Sequence, residues 1–553
     1  MAVWWKERVV YQIYPRSFQD SNGDGIGDIP GIILRLDALK DLGVGIIWLS
    51  PVYPSPDADN GYDISDYRGI DPKFGTMADM EALIAEAGKR DIRIIMDLVI
   101  NHTSDEHDWF RKSRDPASEY RDYYIWRPPK QGGGLPNNWR GFFVEDTWEF
   151  DERSGEYYLH LFHKKQPDLN YKNPRVIEEI KGILRFWLDK GVAGFRCDVI
   201  NVLYKTSLED GKKGGILPGI EWYKCQKGNH EILRELRRDV LDAYDCFTVG
   251  ESVMVDLDEA KLLCDEERHE LNMLFYFEHL EVDRRVAKYI PKRFRAAKFL
   301  EVLTKWQQGL EWNAVYLENH DQSRIVSHYG DYGTYRERSA KLLAVLELTL
   351  RGTPFIYQGQ EIGMTNFDFT GFDQLNDVES LNMNALLKRY HVPAVLRWKW
   401  ISAASRDNAR TPMQWSAGKG AGFTTGKSWL GINANHTRIN YEAQADDPGS
   451  IRSFYRQLIT LRASSETLKY APFAPRYARG PVIAYDREGE DEVWTVILNF
   501  SGKRADLAGA LRASGVSPGG GCTIEASNTA RTDLTGKLEP WEAIVLVRRK
   551  AQP

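Results

Sequence analysis

The segment G-F-R-C-D-V-I, Gly194 to Ile200, has the composition of a strand covered on both faces, yet it carries two charges. Gly194, Phe195, Val199 and Ile200 are small or apolar, as a doubly covered strand requires. Arg196 and Asp198 interrupt them two residues apart, a spacing that puts both side chains on one face. A buried arginine beside a buried carboxylate is costly unless each satisfies the other. Taken alone, the segment reads as a structural ion pair inside a core. The chain repeats the arrangement, however. The run T-V-G-E-S places Glu251 at its end, and V-Y-L-E-N-H-D-Q-S-R carries a third run to His320 and Asp321. Packing does not explain carboxylates at the ends of three such strands.

Around these runs, strand and helix alternate. Val9–Phe18 and Gly45–Pro51 read as the first two strands. Between them, Asp28–Gly43 has helical spacing at Ile32, Leu36 and Leu39, with Pro30 in the first turn and Gly43 as its stop. Thr76–Asp91 is an amphipathic helix opened by a Thr76/Asp79 capping pair, and Arg93–His102 is the third strand. Strands four to eight follow at Gly194–Ile200, Asp245–Ser252, Glu270–Phe277, Asn313–Asp321 and Thr353–Gly363. Helices are expected at Asn173–Gly191, Arg336–Gly352 and Ser450–Ser465. Eight such units predict an α/β fold, a closed (β/α)8 TIM barrel of parallel strands. Residues 103–168 break the rhythm and predict a small irregular domain inserted after strand three. Residues 469–553 hold alternating strands, Gly/Asp turns and no helix, which predicts a C-terminal antiparallel β-sandwich domain. The barrel is thus expected in two parts, 1–102 and 169–468.

Composition narrows the function. The net charge of −6 suits neither a nucleic-acid binder nor a ligand of anionic membranes. No apolar run is long enough to span a membrane, and Met1–Val10 has no signal-peptide pattern. Cys197, Cys225, Cys246, Cys264 and Cys522 are odd in number and scattered, which predicts free thiols in a reducing cytoplasm. The 17 Trp and 27 Tyr suit sugar stacking, but they suit any large core equally.

In a barrel of this kind the C-terminal strand ends form the active-site rim. Asp63, His102, Asp198, Glu251, His320 and Asp321 all fall at or just past expected strand ends. Converging carboxylates raise one another's pKa, so one keeps a proton while another stays ionised. Glycosidic cleavage needs that division: a nucleophile on one side of the bond and a general acid on the other. Arg196 beside Asp198 would keep the nucleophile anionic, and the apolar run around Glu251 favours its protonated form. A lone histidine is more often a satisfied core residue. Two at one rim point to hydroxyl binding.

The sequence resembles the α-amylase superfamily, glycoside hydrolase family 13, in its oligo-1,6-glucosidase and α-glucosidase branch. The matching motifs are DLVINH (Asp97–His102), QPDLN (Gln166–Asn170), GFRCDVI, TVGESV (Thr248–Val253), ENHDQSR (Glu318–Arg324) and GTPFIYQGQEIG (Gly352–Gly363), with RDNARTPMQW (Arg406–Trp415) and the start of the chain. They cover nearly the whole chain in the right order. The resemblance implies Asp198 as nucleophile, Glu251 as acid/base and Asp321 as the third carboxylate, favouring a distorted, oxocarbenium-like ring. It also implies that Asp63 and Arg406 form a salt-linked floor at the non-reducing end. Tyr62 would stack on the terminal sugar, and His102, Arg196, His320 and Gln166 would complete its binding site.

DSNGDGIGD (Asp20–Asp28) resembles the start of an EF-hand loop but has Gly31 where the twelfth-position Glu would stand. The family resemblance favours a structural Ca²⁺ or Mg²⁺ site from Asp20, Asn22, Asp24, the Ile26 carbonyl and Asp28; no organic cofactor is implied. The residue after the nucleophile, Val199, resembles the α-1,6-acting members. The activity implied is retaining, exo-acting release of α-glucose from isomaltose-like oligosaccharides by a monomer or weak homo-oligomer. An α-1,4-glucosidase, a trehalose-6-phosphate hydrolase and a sucrose isomerase or transglucosylase are the alternatives. For the last, water access would decide, and sequence does not set it. Lys205, Lys212 and Lys213 in Tyr204–Lys224 would suit a phosphorylated sugar, though a solvated charged loop is the preferred reading.

Overall fold

Gly194 begins its strand with φ +147°, and a Cβ there would run into the Phe247 backbone. The glycine lets two strands pair closely at the start of the segment that carries Arg196 and Asp198. The computed structural model describes residues 3–143, 145–214, 217–285, 288–517 and 521–550.

The strands in chain order are β1 (Val10–Ile13), β2 (Ile46–Leu49), β3 (Arg93–Leu98), β4 (Trp126–Arg127), β5 (Trp148–Asp151), β6 (Glu156–Leu159), β7 (Gly194–Cys197), β8 (Phe247–Glu251), β9 (Met273–Phe275), β10 (Ala314–Tyr316), β11 (Thr353–Tyr357), β12 (Phe473–Arg479), β13 (Val482–Glu488), β14 (Glu492–Asn499), β15 (Cys522–Ser527) and β16 (Ala543–Arg549). Eight of them form one parallel sheet in the order β10-β11-β1-β2-β3-β7-β8-β9. Read around from β1, that order is the chain order of the eight strands, and β9 lies against β10, so the sheet curls into the expected barrel. Its strands are buried along nearly their whole length, which explains their continuous apolar runs.

The helices obey their local signals with one exception. Met77–Lys89 starts with the Thr76/Asp79 capping box in both directions. The helix expected over Asp28–Gly43 is two, Ile29–Leu34 and Leu36–Leu42. Arg35 leaves helical geometry between them, with its guanidinium 4.2 Å over the Trp415 ring and its Nε donating to Gln19 Oε1 at 2.8 Å. Gly43 ends the second piece at φ +97°, as a left-handed stop requires.

Residues 103–168, expected to be irregular, hold a helix at Asp108–Ser113 and an antiparallel sheet in the order β4-β6-β5. Beyond β11 the chain builds a hairpin of two helices, Val378–Arg389 and Ala394–Ala404, around a small apolar cluster of its own. At the C-terminus the described residues form one antiparallel sheet, β12-β13-β14-β16-β15, not a pair of sheets. A helix at Leu507–Ala513, absent from the expectation, covers one face; the other face joins the barrel core through Ile483, Tyr485, Val496 and Val545. Barrel and helix thus take the place of a second sheet. Residues 518–520 and 551–553 of that expected domain lie outside the described residues.

Candidate active site

Arg196 lies near the C-terminal end of β7, 1% exposed, and gathers three carboxylates from three neighbouring strands. Its Nη1 is 2.6 Å from both Asp97 Oδ1 and Asp198 Oδ1, and its Nη2 is 2.6 Å from Glu251 Oε2. Asp97 is the deepest of the three, and it also accepts from Trp48 Nε1 at 2.9 Å and Tyr62 Oη at 3.1 Å. Burial pushes Asp198 up to about 6, against the pull of Arg196. Burial pushes Glu251 further, to about 7; Arg196 opposes it, and the Asp198 and Asp321 charges add to it. The pair is therefore divided: near neutral pH Asp198 ionises first and Glu251 holds its proton longer.

Asp321 has the opposite character. Burial pushes its carboxyl up, but His320, Arg406 and Arg410 outweigh that and hold it well below its ordinary value. Arg410 Nη2 is 2.8 Å and Arg406 Nη1 3.2 Å from Asp321 Oδ1. Burial keeps His102 and His320 neutral by pushing both down. Gln12 Nε2 stands 2.8 Å from His320 Nδ1, which leaves Nε2 to carry the ring proton, 3.0 Å from Asp321 Oδ2. Tyr62 stacks on the His320 ring at 5.2 Å with an interplanar angle of 3°.

The expected Asp63–Arg406 pair is not formed. Asp63 is fully buried and turned inward, accepting from the Ala58 and Asp59 N–H groups and from Ser55 Oγ. Asp59 takes its place, with Oδ1 3.2 Å from Arg406 Nη2. Arg406 Nε is held by Asp377 Oδ1 at 2.7 Å. Gln166 Nε2 is 3.3 Å from Asp59 Oδ2, and it shares the Tyr62 carbonyl with His102 Nε2. Sequence reasoning missed Asp59, Asp97, Asp377 and Arg410. Asp97 and Arg410 stand inside the quoted motifs, so they were within reach; Asp59 and Asp377 lie in turns without periodic signal.

Tyr62, Asp198, Glu251 and Asp321 border a cavity of about 670 Å³. Asp59, Gln166, His102 and Arg406, all buried, wall one end; at the other, Met254 is 59% exposed. Arg196 and His320 lie behind the wall, acting on the cavity through the carboxylates they touch. Val199 lines it at φ +37°, a left-handed conformation that a β-branched residue adopts only under strain. Of the lysines in Tyr204–Lys224, Lys212 and Lys213 are exposed, but Lys205 is buried, its Nζ 2.6 Å from Asp168 Oδ2. It is a structural ion pair, because an unpaired ammonium there would be too costly to bury. Residues 215 and 216 of that loop lie outside the described residues.

The Asp20–Asp28 loop contributes nothing to this cavity. Asp20 accepts from the Asn22, Gly23 and Gly25 N–H groups, and Asp28 caps Ile29–Leu34. Among the described residues no group of three or more His, Cys, Asp or Glu is drawn together to hold a metal ion.

A family model for the alpha-amylase catalytic domain matches residues 12–471. The oligo-1,6-glucosidase of Parageobacillus thermoglucosidasius is 50% identical over 514 residues, 91% of each chain. The crystal structure of trehalose-6-phosphate hydrolase from Bacillus licheniformis superposes with a TM-score of 0.92 at 41% identity, covering 99% of this chain and 100% of that one. An isomaltulose synthase variant from Erwinia rhapontici gives 0.93 at 40% identity, with coverage of 99% and 100%.

Proposed function

The chain belongs to the alpha-amylase family and is a glycoside hydrolase, and from that premise we propose a retaining, exo-acting oligo-1,6-glucosidase with Asp198 and Glu251 as its reacting pair. The observation that carries this reading is the single buried guanidinium of Arg196, which touches both carboxylates while their pKa values are pushed to about 6 and about 7. Two carboxyl groups so close together suit double displacement better than a water-separated inverting pair. Asp198 attacks the anomeric carbon, and the bond to the leaving oxygen breaks as Glu251 passes its proton to that oxygen. Water then loses a proton to Glu251 and releases α-glucose from Asp198. Asp321, kept anionic by two arginines, stabilises the positive charge that grows on the ring.

The buried end formed by Asp59, Gln166, His102 and Arg406 supports exo-action, because it leaves no path for a further sugar. Proton NMR of the protein acting on isomaltose, maltose, sucrose and trehalose 6-phosphate tests the reading. Fastest release of the α-anomer of glucose from isomaltose is expected. Preference for maltose or the phosphorylated sugar would overturn the linkage, and new disaccharides from sucrose would overturn hydrolysis.

A structural divalent cation, Ca²⁺ or Mg²⁺, on the Asp20–Asp28 loop belongs to the same reading. Asp20, Asp24 and Asp28 stand within nine residues, and no Lys or Arg among the described residues forms a salt bridge with them. Among the described residues no backbone N–H from outside its own helix or strand donates to the Ile26 carbonyl. Such a cation would neutralise the loop. Chelation is expected to lower Tm and leave kcat at 25 °C unchanged; an unaltered Tm would exclude the cation.

A further inference from the structure

The open end of the cavity carries an unusual charge arrangement. Its cations are already committed. Lys224 pairs with Glu259 at 2.8 Å, Lys288 with Glu379 at 2.6 Å, Lys305 with Glu278 at 2.6 Å and Arg284 with Asp283 at 3.3 Å. Glu281 lines the same cavity on the loop that follows β9; the residue is exposed, its carboxyl is pushed up by desolvation and by Glu278 with Lys288 opposing them, and no side chain among the described residues forms a salt bridge with it. Glu251 ends β8, the strand beside β9, so Glu281 stands on the side toward which the leaving group departs. A carboxylate there accepts hydrogen bonds from sugar hydroxyls. The same charge repels a phosphate dianion, and among the described residues the three lysines of the lining are each already paired with a glutamate.

We propose that Glu281 is the specificity residue that admits a neutral sugar at the leaving-group end and turns away a phosphorylated one. The inference rests on the glucosidase reading above and narrows its substrate class to uncharged sugars. It concerns the feature that would separate this chain from a relative that hydrolyses trehalose 6-phosphate on the same fold.

The test follows hydrolysis of p-nitrophenyl α-glucoside with glucose and glucose 6-phosphate as inhibitors. Wild type is compared with Glu281→Gln and Glu281→Lys, and with Glu267→Lys, an exposed charge change before β9 at the other end of the barrel. Circular dichroism verifies that each variant is folded. The ratio of the glucose 6-phosphate to the glucose inhibition constant is expected to fall about tenfold in Glu281→Lys, by less in Glu281→Gln, and not in Glu267→Lys. The wild-type discrimination is expected to shrink in high salt, since an exposed charge is screened beyond a Debye length of about 8 Å at physiological ionic strength. An unchanged ratio in folded Glu281→Gln and Glu281→Lys, or an equal fall in Glu267→Lys, overturns the proposal. The p-nitrophenyl substrate reports on Glu281 whichever linkage the enzyme cuts, so a failure of the α-1,6 reading would appear in the NMR experiment alone.

Discussion

Glu251 is pushed to about 7 and Asp198 to about 6, and the reaction needs the first protonated and the second ionised. The profile of kcat/KM against pH is therefore expected to rise through about 6 and fall above about 7. Glu251→Gln is expected to lose about 10²–10⁴-fold in kcat on isomaltose and much less on p-nitrophenyl α-glucoside, whose leaving group needs no proton. The same shift makes a stability prediction. The folded pKa of Glu251 lies above its unfolded value near 4.5, so its protonated form favours the fold. Stability from this group is fully present below about 4.5 and is lost as pH rises through about 7. The Tm advantage of Glu251→Gln over wild type should therefore grow from pH 5 to pH 8; a constant difference would show that the carboxyl titrates normally. Two further carboxylates separate binding from folding. Asp59→Asn loosens Arg406 and is expected to raise KM about tenfold, the effect of one weakened ion pair. Asp63→Ala leaves buried N–H donors unpartnered, costs about 1–3 kcal/mol of stability and leaves KM alone. Finally, Val199→Ala is expected to move preference from isomaltose toward maltose, with initial rates on the two sugars as the check.

At the scale of elements, the barrel was legible because parallel strands buried on both faces must read as unbroken apolar runs. A charge at the end of such a run is conspicuous, and that is how Asp198, Glu251 and Asp321 were found. The motif DLVINH contained Asp97, but its carboxylate reads as one more strand-end group until Arg196, Trp48 and Tyr62 are seen to converge on it. Choosing Asp59 over Asp63 was beyond sequence, since the two lie four residues apart in one loop and only the fold decides which faces Arg406. The hairpin Val378–Arg389 and Ala394–Ala404 gave no expectation; its apolar residues serve a small cluster, not the barrel, and show no clean helical stripe. Yet Asp377 ties that hairpin to the site. Its side chain caps the first helix through the Glu379 and Ser380 N–H groups while it grips Arg406. Asp377→Ala should therefore act twice, costing about 0.5–2 kcal/mol for the cap and raising KM through Arg406. Loss of stability without a change in KM would show that the cap is all it does.

For the whole molecule, the question is whether the C-terminal sheet is an appendage or part of one folding unit. Its two faces are unequal in a way that answers it. Val482, Ala484, Ile497 and Ile544 meet the helix Leu507–Ala513, while Ile483, Tyr485, Val496 and Val545 merge into the barrel core, as period-two alternation requires. The seam is closed by arginine. Arg487, fully buried, donates to the carbonyls of Thr349, Leu468 and Ala471, and Arg462 to those of Leu348, Leu350 and Leu468. These carbonyls cap helix ends and turns of the barrel, so each guanidinium satisfies acceptors that lie beside the sheet. Arg487→Met keeps the apolar stem but orphans two buried carbonyls, those of Thr349 and Ala471, at about 1–3 kcal/mol each, while Arg462 still serves Leu468. With an unfolding entropy of about 2.1 cal/mol/K per residue, a loss of ~3 kcal/mol lowers the Tm of one cooperative unit of this length by about 3 °C. Scanning calorimetry should thus show a single transition that shifts as a whole. A separate early transition, with catalysis persisting beyond it, would mean that the sheet melts alone and the barrel stands without it.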